Sequence, residues 1–161
     1  NVVARRFSFV RPGYSFRVTE MEGALALAQL EEKDVILKGR AECAAYYMLQ
    51  LSQFANFIQL PCIQPNREHA YMMFPLVIKD DKIAKKDLVM FLEEHNIETR
   101  DMLPIINQPV VKKGLGDIEN QYPVAKWINN NGFYIGSHEK ITQEEREYAI
   151  SVFKEFFKNV K

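Results

Sequence analysis

Hydrophobic residues recur at helical spacing in two long stretches near the N-terminus. Thr19 and Glu22 have the spacing of a capping box, in which each side chain bonds to the backbone N–H of the other residue, so we expect a helix over residues 19–32. A second helix is predicted over residues 34–54, and Gly39 would permit a bend between the two helices. The residues that predict a closely packed face on the first helix are Met21, Ala24, Leu25 and Ala28.

A strand and a third helix are predicted in the middle of the chain. Residues 69–79 are rich in aromatic and branched side chains and form the best strand candidate, in which Pro75 favours an edge position or a bulge. Asp81 is expected to cap a helix that continues through about His95. Asn96 is expected to end that helix in the left-handed conformation.

The C-terminal part of the chain predicts a loop and further short elements. Residues 102–116 contain two prolines and two glycines, so we expect a long loop there. The final helix is predicted to bury a stripe formed by Tyr148, Ala149, Val152, Phe153 and Phe156. The other predicted elements are strands over residues 97–99 and 133–135, a helix over residues 122–130, and a second capping box at Thr142 and Glu145.

This order of elements predicts a mixed α/β fold in which helices pack on one face of a small sheet. The chain has 161 residues, of which 47% are hydrophobic and 26% charged, as is typical of one globular domain. No apolar run approaches the ~18 residues of a membrane span, and no signal peptide begins the chain, so we predict a cytoplasmic protein without membrane contact. The net charge of +0 gives no support for nucleic-acid binding.

The arginines, histidines and cysteines indicate few candidate functional sites. Four arginines and no acidic residue occur in the first eighteen positions, which indicates either a solvated arm or an anion site, since the guanidinium group suits phosphate. The three histidines are scattered, so no zinc site is predicted. Cys43 and Cys62 are too few for a disulfide framework and are expected to be reduced core thiols. Cys43 lies on an apolar helical face, which indicates packing rather than nucleophilic chemistry.

A set of ordered motifs resembles the DegT/DnrJ/StrS sugar aminotransferases. Residues 13–30 are similar to the family signature G-Y-N-x-R-x-T-E/D-x-Q-A-A-x-x-x-x-Q-L. Residues 92–100 resemble its L-x-x-x-G-I-x-T-R turn, and residues 104–109 its P-x-H-x-Q-P loop. Further similar motifs occur at Arg40, at His69–Tyr71 and at Phe133–Thr142, so that the resemblance extends over nearly the whole chain in the correct order.

The resemblance implies specific roles for four residues. In this family the loop that matches Ser15 and Arg17 reaches across a homodimer and binds the phosphate of pyridoxal phosphate, so these two residues are the predicted cofactor-binding residues. Ser15 replaces the family's asparagine, and its shorter hydroxyl can still donate to phosphate. Asn107, which replaces a histidine, and His138, which keeps the family residue, are the predicted substrate-binding residues.

The resemblance also implies a division of the chain. Residues 1–18 would be a segment that reaches the active site, residues 19–56 the helices that link two domains, and residues 57–161 a small α/β domain with a mostly antiparallel sheet. The large domain, with its catalytic lysine, would precede this chain, as the start at Asn1 also suggests. No catalytic residue is therefore predicted here, and the isolated chain should be inactive.

The expected activity of the intact enzyme is transfer of an amino group, commonly from glutamate, to a nucleotide-linked keto-sugar in polysaccharide or sugar-derivative biosynthesis. Two alternatives remain open. Some family members are sugar dehydratases in which a histidine replaces the upstream lysine. A stand-alone α/β binding or interaction domain is the second alternative, and a native start codon immediately before Asn1 would favour it.

Overall fold

The computed structural model describes residues 8–14, 17–102, 105–158 and 160, and the elements below are those of this part of the chain. The strands are β1 (Ile58–Gln59), β2 (Met73–Ile78), β3 (Thr99–Asp101) and β4 (Gly132–Gly136). The helices are α1 (Glu20–Glu31), α2 (Lys33–Leu51), α3 (Lys85–Glu94), α4 (Pro109–Leu115), α5 (Pro123–Asn131) and α6 (Gln143–Lys158). Single 3-10 turns occupy Ser52–Phe54, Ile105–Asn107 and Glu119–Gln121.

The four strands form one antiparallel sheet in the order β1-β2-β4-β3. Phe74 pairs with Ile135, which also pairs with Thr99. Because side chains alternate along a strand, these three residues share one face of the sheet. Pro75 lies beyond the end of β1, which pairs only with Val77 and Ile78, so the proline occupies a local edge of an otherwise inner strand.

Three helices, α2, α3 and α6, cover this face and build the core. The core includes the fully buried rings of Phe74, Phe133 and Phe153. Tyr47 of α2 contacts Phe74 edge-on, with ring centroids 5.3 Å apart. The predicted mixed α/β class is confirmed. On the other face, α5 leaves an open apolar groove of about 460 Å³, lined by Met72, Met73, Asp101, Met102, Ala125, Ile128 and Tyr134.

Both predicted capping boxes form. At α1, Glu22 N donates to Thr19 Oγ1 and Thr19 N donates to Glu22 Oε2. At α6, Glu145 N donates to Thr142 Oγ1 at 3.2 Å, and Thr142 N donates to Glu145 Oε2 at 2.8 Å. A capping box therefore begins both α1, which has no buried residue, and α6, which lies at the centre of the core.

Removing the two caps should have different consequences. Thr142→Ala should lower the free energy of unfolding by about 1 kcal/mol, because the core helix α6 loses its N-cap. Thr19→Ala is the matched control and should leave global unfolding unchanged in the isolated chain, because α1 buries no residue. Urea titrations followed by tryptophan fluorescence measure both effects. Equal losses in the two variants would contradict this account of α1.

Several predicted details are wrong. Residues 102–116 are not one loop, because α4 begins at Pro109, a residue that suits the first helical position, and ends at Gly116 with φ 75°. Asp81 caps no helix: α3 begins at Lys85 and its N-cap is Ala84. β3 lies at 99–101 rather than 97–99, after Asn96, which adopts the predicted left-handed conformation with φ 60°.

Three packing predictions also need correction. Tyr148 is 48% exposed, and Ile150 and Phe157 join the buried stripe of α6 instead. Cys62 is exposed, whereas Cys43 is buried as expected. The residues expected to pack on one face of the first helix, Met21, Ala24, Leu25 and Ala28, are all exposed.

The break between α1 and α2 falls at Glu32 rather than at Gly39. Gly39 has a different purpose, because a Cβ placed there would lie 2.7 Å from Cβ of Glu139 and 3.1 Å from its Cα. The glycine therefore allows the loop after β4 to approach the backbone of α2 closely.

Candidate functional site

The segment before α1 is attached to the loop that begins α4. Phe9 N donates to Gln108 Oε1 at 3.0 Å, and Val110 N donates to Phe9 O at 2.9 Å. Gln108 is 8% exposed and is also the N-cap residue of α4. These two hydrogen bonds hold Phe9 beside Gln108, the residue that follows Asn107; Asn107 ends the 3-10 turn and is half-buried. Sequence reasoning missed Gln108, although the proline that follows it is a recognisable signal for the first helical position.

Arg17 is exposed and lies two residues before the N-cap of α1. Within the described ranges, neither Arg17 nor Arg11 forms an ion pair, so their guanidinium groups are available to an anion. The capping box already gives the N-terminus of α1 a carboxylate from Glu22. An anion bound here would therefore depend on arginine rather than on the helix end. Ser15 lies outside the described residues.

His138 lies in the loop between β4 and α6, which packs through Ser137 and Glu139 against the N-terminal half of α2. Its Nδ1 accepts a hydrogen bond from Lys140 N at 3.1 Å, and its Nε2 is 3.5 Å from Glu139 Oε1. Glu139 Oε2 is in turn 3.5 Å from Nε of Arg40 in α2. No hydrogen bond or ion pair among the described residues joins His138 to Asn107 or Arg17.

The pKa values of Glu139 and Cys43 are shifted in opposite directions. The pKa of Glu139 is lowered by a hydrogen bond from its own backbone N–H. The adjacent His138 and the Arg40 guanidinium lower it further, although burial opposes the shift. Burial raises the pKa of the Cys43 thiol, which is 1% exposed. A buried, protonated thiol is a poor nucleophile, so the predicted packing role of Cys43 is confirmed. No cluster of metal-ligating side chains occurs among the residues described by the structure.

The surface of α1 is unusually apolar. Met21 is 79% exposed and Leu25 67% exposed on one side, while Leu27 and Leu30 are 60% and 63% exposed on the other. A helix that is apolar on all sides is normally buried, and a large exposed apolar patch marks an interface. None of the described helices is long and apolar enough to cross a membrane.

The model of the DegT/DnrJ/EryC1/StrS aminotransferase family matches residues 2–154. The chain belongs to this family. The resemblance read from the ordered motifs is therefore confirmed at the level of the family.

Curated relatives are similar over nearly all of this chain but are much longer. The lipopolysaccharide biosynthesis protein RfbH of Salmonella typhimurium is 29% identical over 159 residues, which covers 94% of this chain and 36% of that protein. The GDP-4-keto-6-deoxy-D-mannose 3-dehydratase of Escherichia coli is 30% identical, with 92% and 38% covered. The GDP-perosamine synthase of Caulobacter vibrioides is 24% identical, with 91% and 39% covered. The chain thus spans little more than a third of these family members.

Solved structures of the family share the fold. DesV from S. venezuelae superposes on this chain with a TM-score of 0.79 at 20% identity. The superposition covers 90% of this chain and 38% of the DesV chain. The aminotransferase from Psychrobacter cryohalolentis gives a TM-score of 0.76 at 15% identity, with 99% and 46% covered. The Escherichia coli GDP-4-keto-6-deoxy-D-mannose-3-dehydratase with bound hydrated PLP gives 0.66 at 26% identity, with 91% and 38% covered.

Proposed function

We propose that the chain is the C-terminal region of a pyridoxal-phosphate enzyme that transfers an amino group from glutamate to a nucleotide-linked keto-sugar. The observation that carries this proposal is the family match over residues 2–154, combined with coverage of only 36–39% of the curated relatives. The relatives' names refer to GDP-linked keto and amino sugars, which supports a nucleotide-sugar substrate. The intact enzyme would be a homodimer, because the segment with Arg17 would reach the partner subunit's site.

The proposed division of the chain has three parts. Residues 1–18 would contact the active site, residues 19–56 would link the two domains, and residues 57–161 would form the small domain. The exposed apolar surface of α1 supports a linking role, because the preceding large domain would cover it. A stand-alone domain is less consistent with α1, since an isolated helix of 12 residues without buried contacts is marginal in water.

Arg17 and Ser15 are the residues of this chain proposed to hold the coenzyme phosphate. The exposed guanidinium of Arg17, which forms no ion pair with the residues that the structure describes, fits a phosphate group, which it can bind with two parallel hydrogen bonds. Ser15 would add one hydroxyl donor. Bound pyridoxal phosphate supplies an electron sink for chemistry next to the sugar ketone. Asn107 and His138 would bind and orient the sugar through amide and imidazole groups.

A sugar dehydratase is the second candidate function. The relative that is 30% identical is a GDP-4-keto-6-deoxy-D-mannose 3-dehydratase, and that observation favours this candidate specifically. The resemblance implies that the two reactions differ by a lysine or a histidine in the large domain. Both functions therefore assign the same roles to Arg17, Ser15, Asn107 and His138.

The test uses the complete protein with pyridoxal phosphate, glutamate and GDP-4-keto-6-deoxy-mannose, followed by mass spectrometry of the sugar. A glutamate-dependent amino sugar supports the aminotransferase, and loss of a sugar hydroxyl supports the dehydratase. An unchanged substrate, with and without glutamate, and with the dTDP-linked keto-sugar as well, would contradict both.

The isolated chain should form no stable adduct with pyridoxal phosphate. The amines of two lysines are already engaged: Lys85 Nζ donates to Asp101 at 2.9 Å and to Asn129 O at 3.0 Å, and Lys126 Nζ donates to Asn120 Oδ1 at 2.8 Å. Both amines are held by oxygen acceptors, so neither is free to attack an aldehyde. Borohydride trapping and peptide mapping measure this. One stoichiometrically labelled lysine would contradict the prediction, whereas weak labelling scattered over several lysines would not.

A further inference from the structure

The segment before α1 and the helix α4 hold each other through a reciprocal pair of hydrogen bonds. Phe9 N donates to Gln108 Oε1 at 3.0 Å, and Phe9 O accepts from Val110 N at 2.9 Å. A backbone N–H can only donate, so the amide oxygen of Gln108 must be the atom that faces Phe9 N. Both backbone polar groups of Phe9 therefore join two parts of the chain that lie 99 positions apart.

The first turn of α4 depends on Phe9. The first backbone N–H groups of a helix have no partner within the helix. Val110 N donates to Phe9 O, and the next two N–H groups donate to Gln108 O at 3.0 and 2.9 Å. Gln108 is the N-cap residue, yet its side chain forms no cap bond to α4. Phe9 thus supplies the acceptor that an N-cap side chain usually supplies, while the side chain of Gln108 holds Phe9.

Other contacts give α4 little support. The helix has 7 residues and buries none of them, and isolated helices of this length are unstable in water. Lys112 is 2.6 Å from Glu119, but the lysine side chain is 40% exposed, and partly exposed ion pairs contribute little to stability. Docking of the segment and formation of α4 are therefore expected to be cooperative, so that loss of one weakens the other.

The same hydrogen bonds hold the segment at both of its ends. Phe9 is bound to α4, and the capping box at Thr19 begins α1. Arg11 and Arg17 lie between these two points and are exposed. A segment held at both ends has fewer conformations to lose when its arginines bind an anion, and pre-organisation of this kind raises affinity.

We propose that Gln108 is a positioning residue, which holds the segment carrying Arg11 and Arg17 in place and couples this segment to α4. The contribution to coenzyme binding rests on the proposed function, whereas the coupling between the segment and α4 does not. Two experiments test these two parts separately.

The first test is amide hydrogen exchange of the 161-residue chain, measured by NMR. Gln108→Met keeps the length of the side chain but removes the acceptor. The amides of Phe9 and of residues 113–115 should therefore exchange about two- to tenfold faster, as expected for the loss of one hydrogen bond. Gln108→Glu retains a side-chain oxygen and should keep the protection. Gln64→Met, in the exposed loop before β2, is the matched control and should change neither region.

Phe9→Pro tests the other partner of the hydrogen bond, because proline has no N–H to donate. This variant should also speed exchange of residues 113–115, although position 9 lies outside α4. The amides of α6 report whether the domain remains folded, and they should be unchanged in every variant. Unchanged exchange of α4 in Gln108→Met or in Phe9→Pro would overturn the coupling, as would equal losses of protection in Gln108→Met and Gln108→Glu.

The second test is a double-mutant cycle in the complete enzyme, with pyridoxal phosphate as the ligand. Gln108→Met should weaken coenzyme binding about two- to tenfold, whereas Gln64→Met should leave it unchanged. In the Arg17→Ala background, Gln108→Met should have a smaller effect, because Gln108 acts through the segment that carries Arg17.

An unchanged affinity in Gln108→Met, or an equal loss in both backgrounds, would overturn the positioning role. A general loss of folding would give such an equal loss, so the cycle separates positioning from a purely structural effect. If the wild-type enzyme binds no pyridoxal phosphate, the proposed function fails, and hydrogen exchange still decides whether Gln108 couples the segment to α4.

Discussion

Replacing Arg17 with alanine should weaken binding of pyridoxal phosphate to the complete enzyme about ten- to a hundredfold. The change removes a charge-assisted hydrogen bond to phosphate, and such bonds contribute about 1.5–3 kcal/mol. Folding should hardly change, because Arg17 is exposed and precedes the capped helix α1. Coenzyme titrations followed by absorbance, with thermal melts of the same samples, measure both quantities.

Two further variants and one control sharpen this experiment. Ser15→Ala should cost about 0.5–1.5 kcal/mol of coenzyme binding, because a neutral donor is lost. Ser15→Asn restores the family residue and should hold or improve the affinity. Arg67→Ala is the matched control, because this exposed arginine lies in the loop before β2 rather than in the segment before α1. Unchanged coenzyme affinity in Arg17→Ala, or a loss of affinity matched by an equal loss of stability, would contradict the phosphate-binding role. The segment would then be only a structural turn.

Truncation of Phe153 should have the largest effect on stability, about 3–5 kcal/mol, because its fully buried ring lies between α6 and the sheet. Such a loss is a large part of the ~5–15 kcal/mol that stabilises a typical domain. Tyr148→Ala, on the same helix, is the control and should cost about 1 kcal/mol, since Tyr148 is 48% exposed and gives up one hydrogen bond to His95 O.

Urea denaturation of the isolated chain measures both variants on the same scale. A Phe153→Ala variant as stable as Tyr148→Ala would show that α6 does not carry the core. An unfolded Phe153→Ala chain agrees with the account if Phe153→Leu, which keeps most of the apolar volume, remains folded.

Features set by neighbouring residues could be predicted from the sequence. The two capping boxes and the left-handed Asn96 depend on residues within a few positions of each other, and all three are present. β1 was missed because two residues carry no detectable period. The helix α4 was missed because Pro109 and Gly114 suggest a loop, although a proline suits a helix start.

Features set by distant residues could not be predicted in this way. Gly39 suggested a bend, yet its purpose is the approach of Glu139, a residue a hundred positions away. Gln108 and Glu139, which position the two loops of the candidate site, were missed for the same reason. Their partners, Phe9 and Arg40, are adjacent to them only in the folded chain. The motif resemblance identified Asn107 and His138 without revealing how each is held.

Amide hydrogen exchange of α1 tests most directly whether this chain is one part of a larger enzyme. The account predicts rapid exchange of residues 24–31 in the isolated chain, since α1 has no buried residue there, and strong protection of the same amides in the complete protein. The amides of α6 should be protected in both samples. Equal exchange of α1 in the isolated chain and in the complete protein would contradict the central claim that a preceding domain covers this helix.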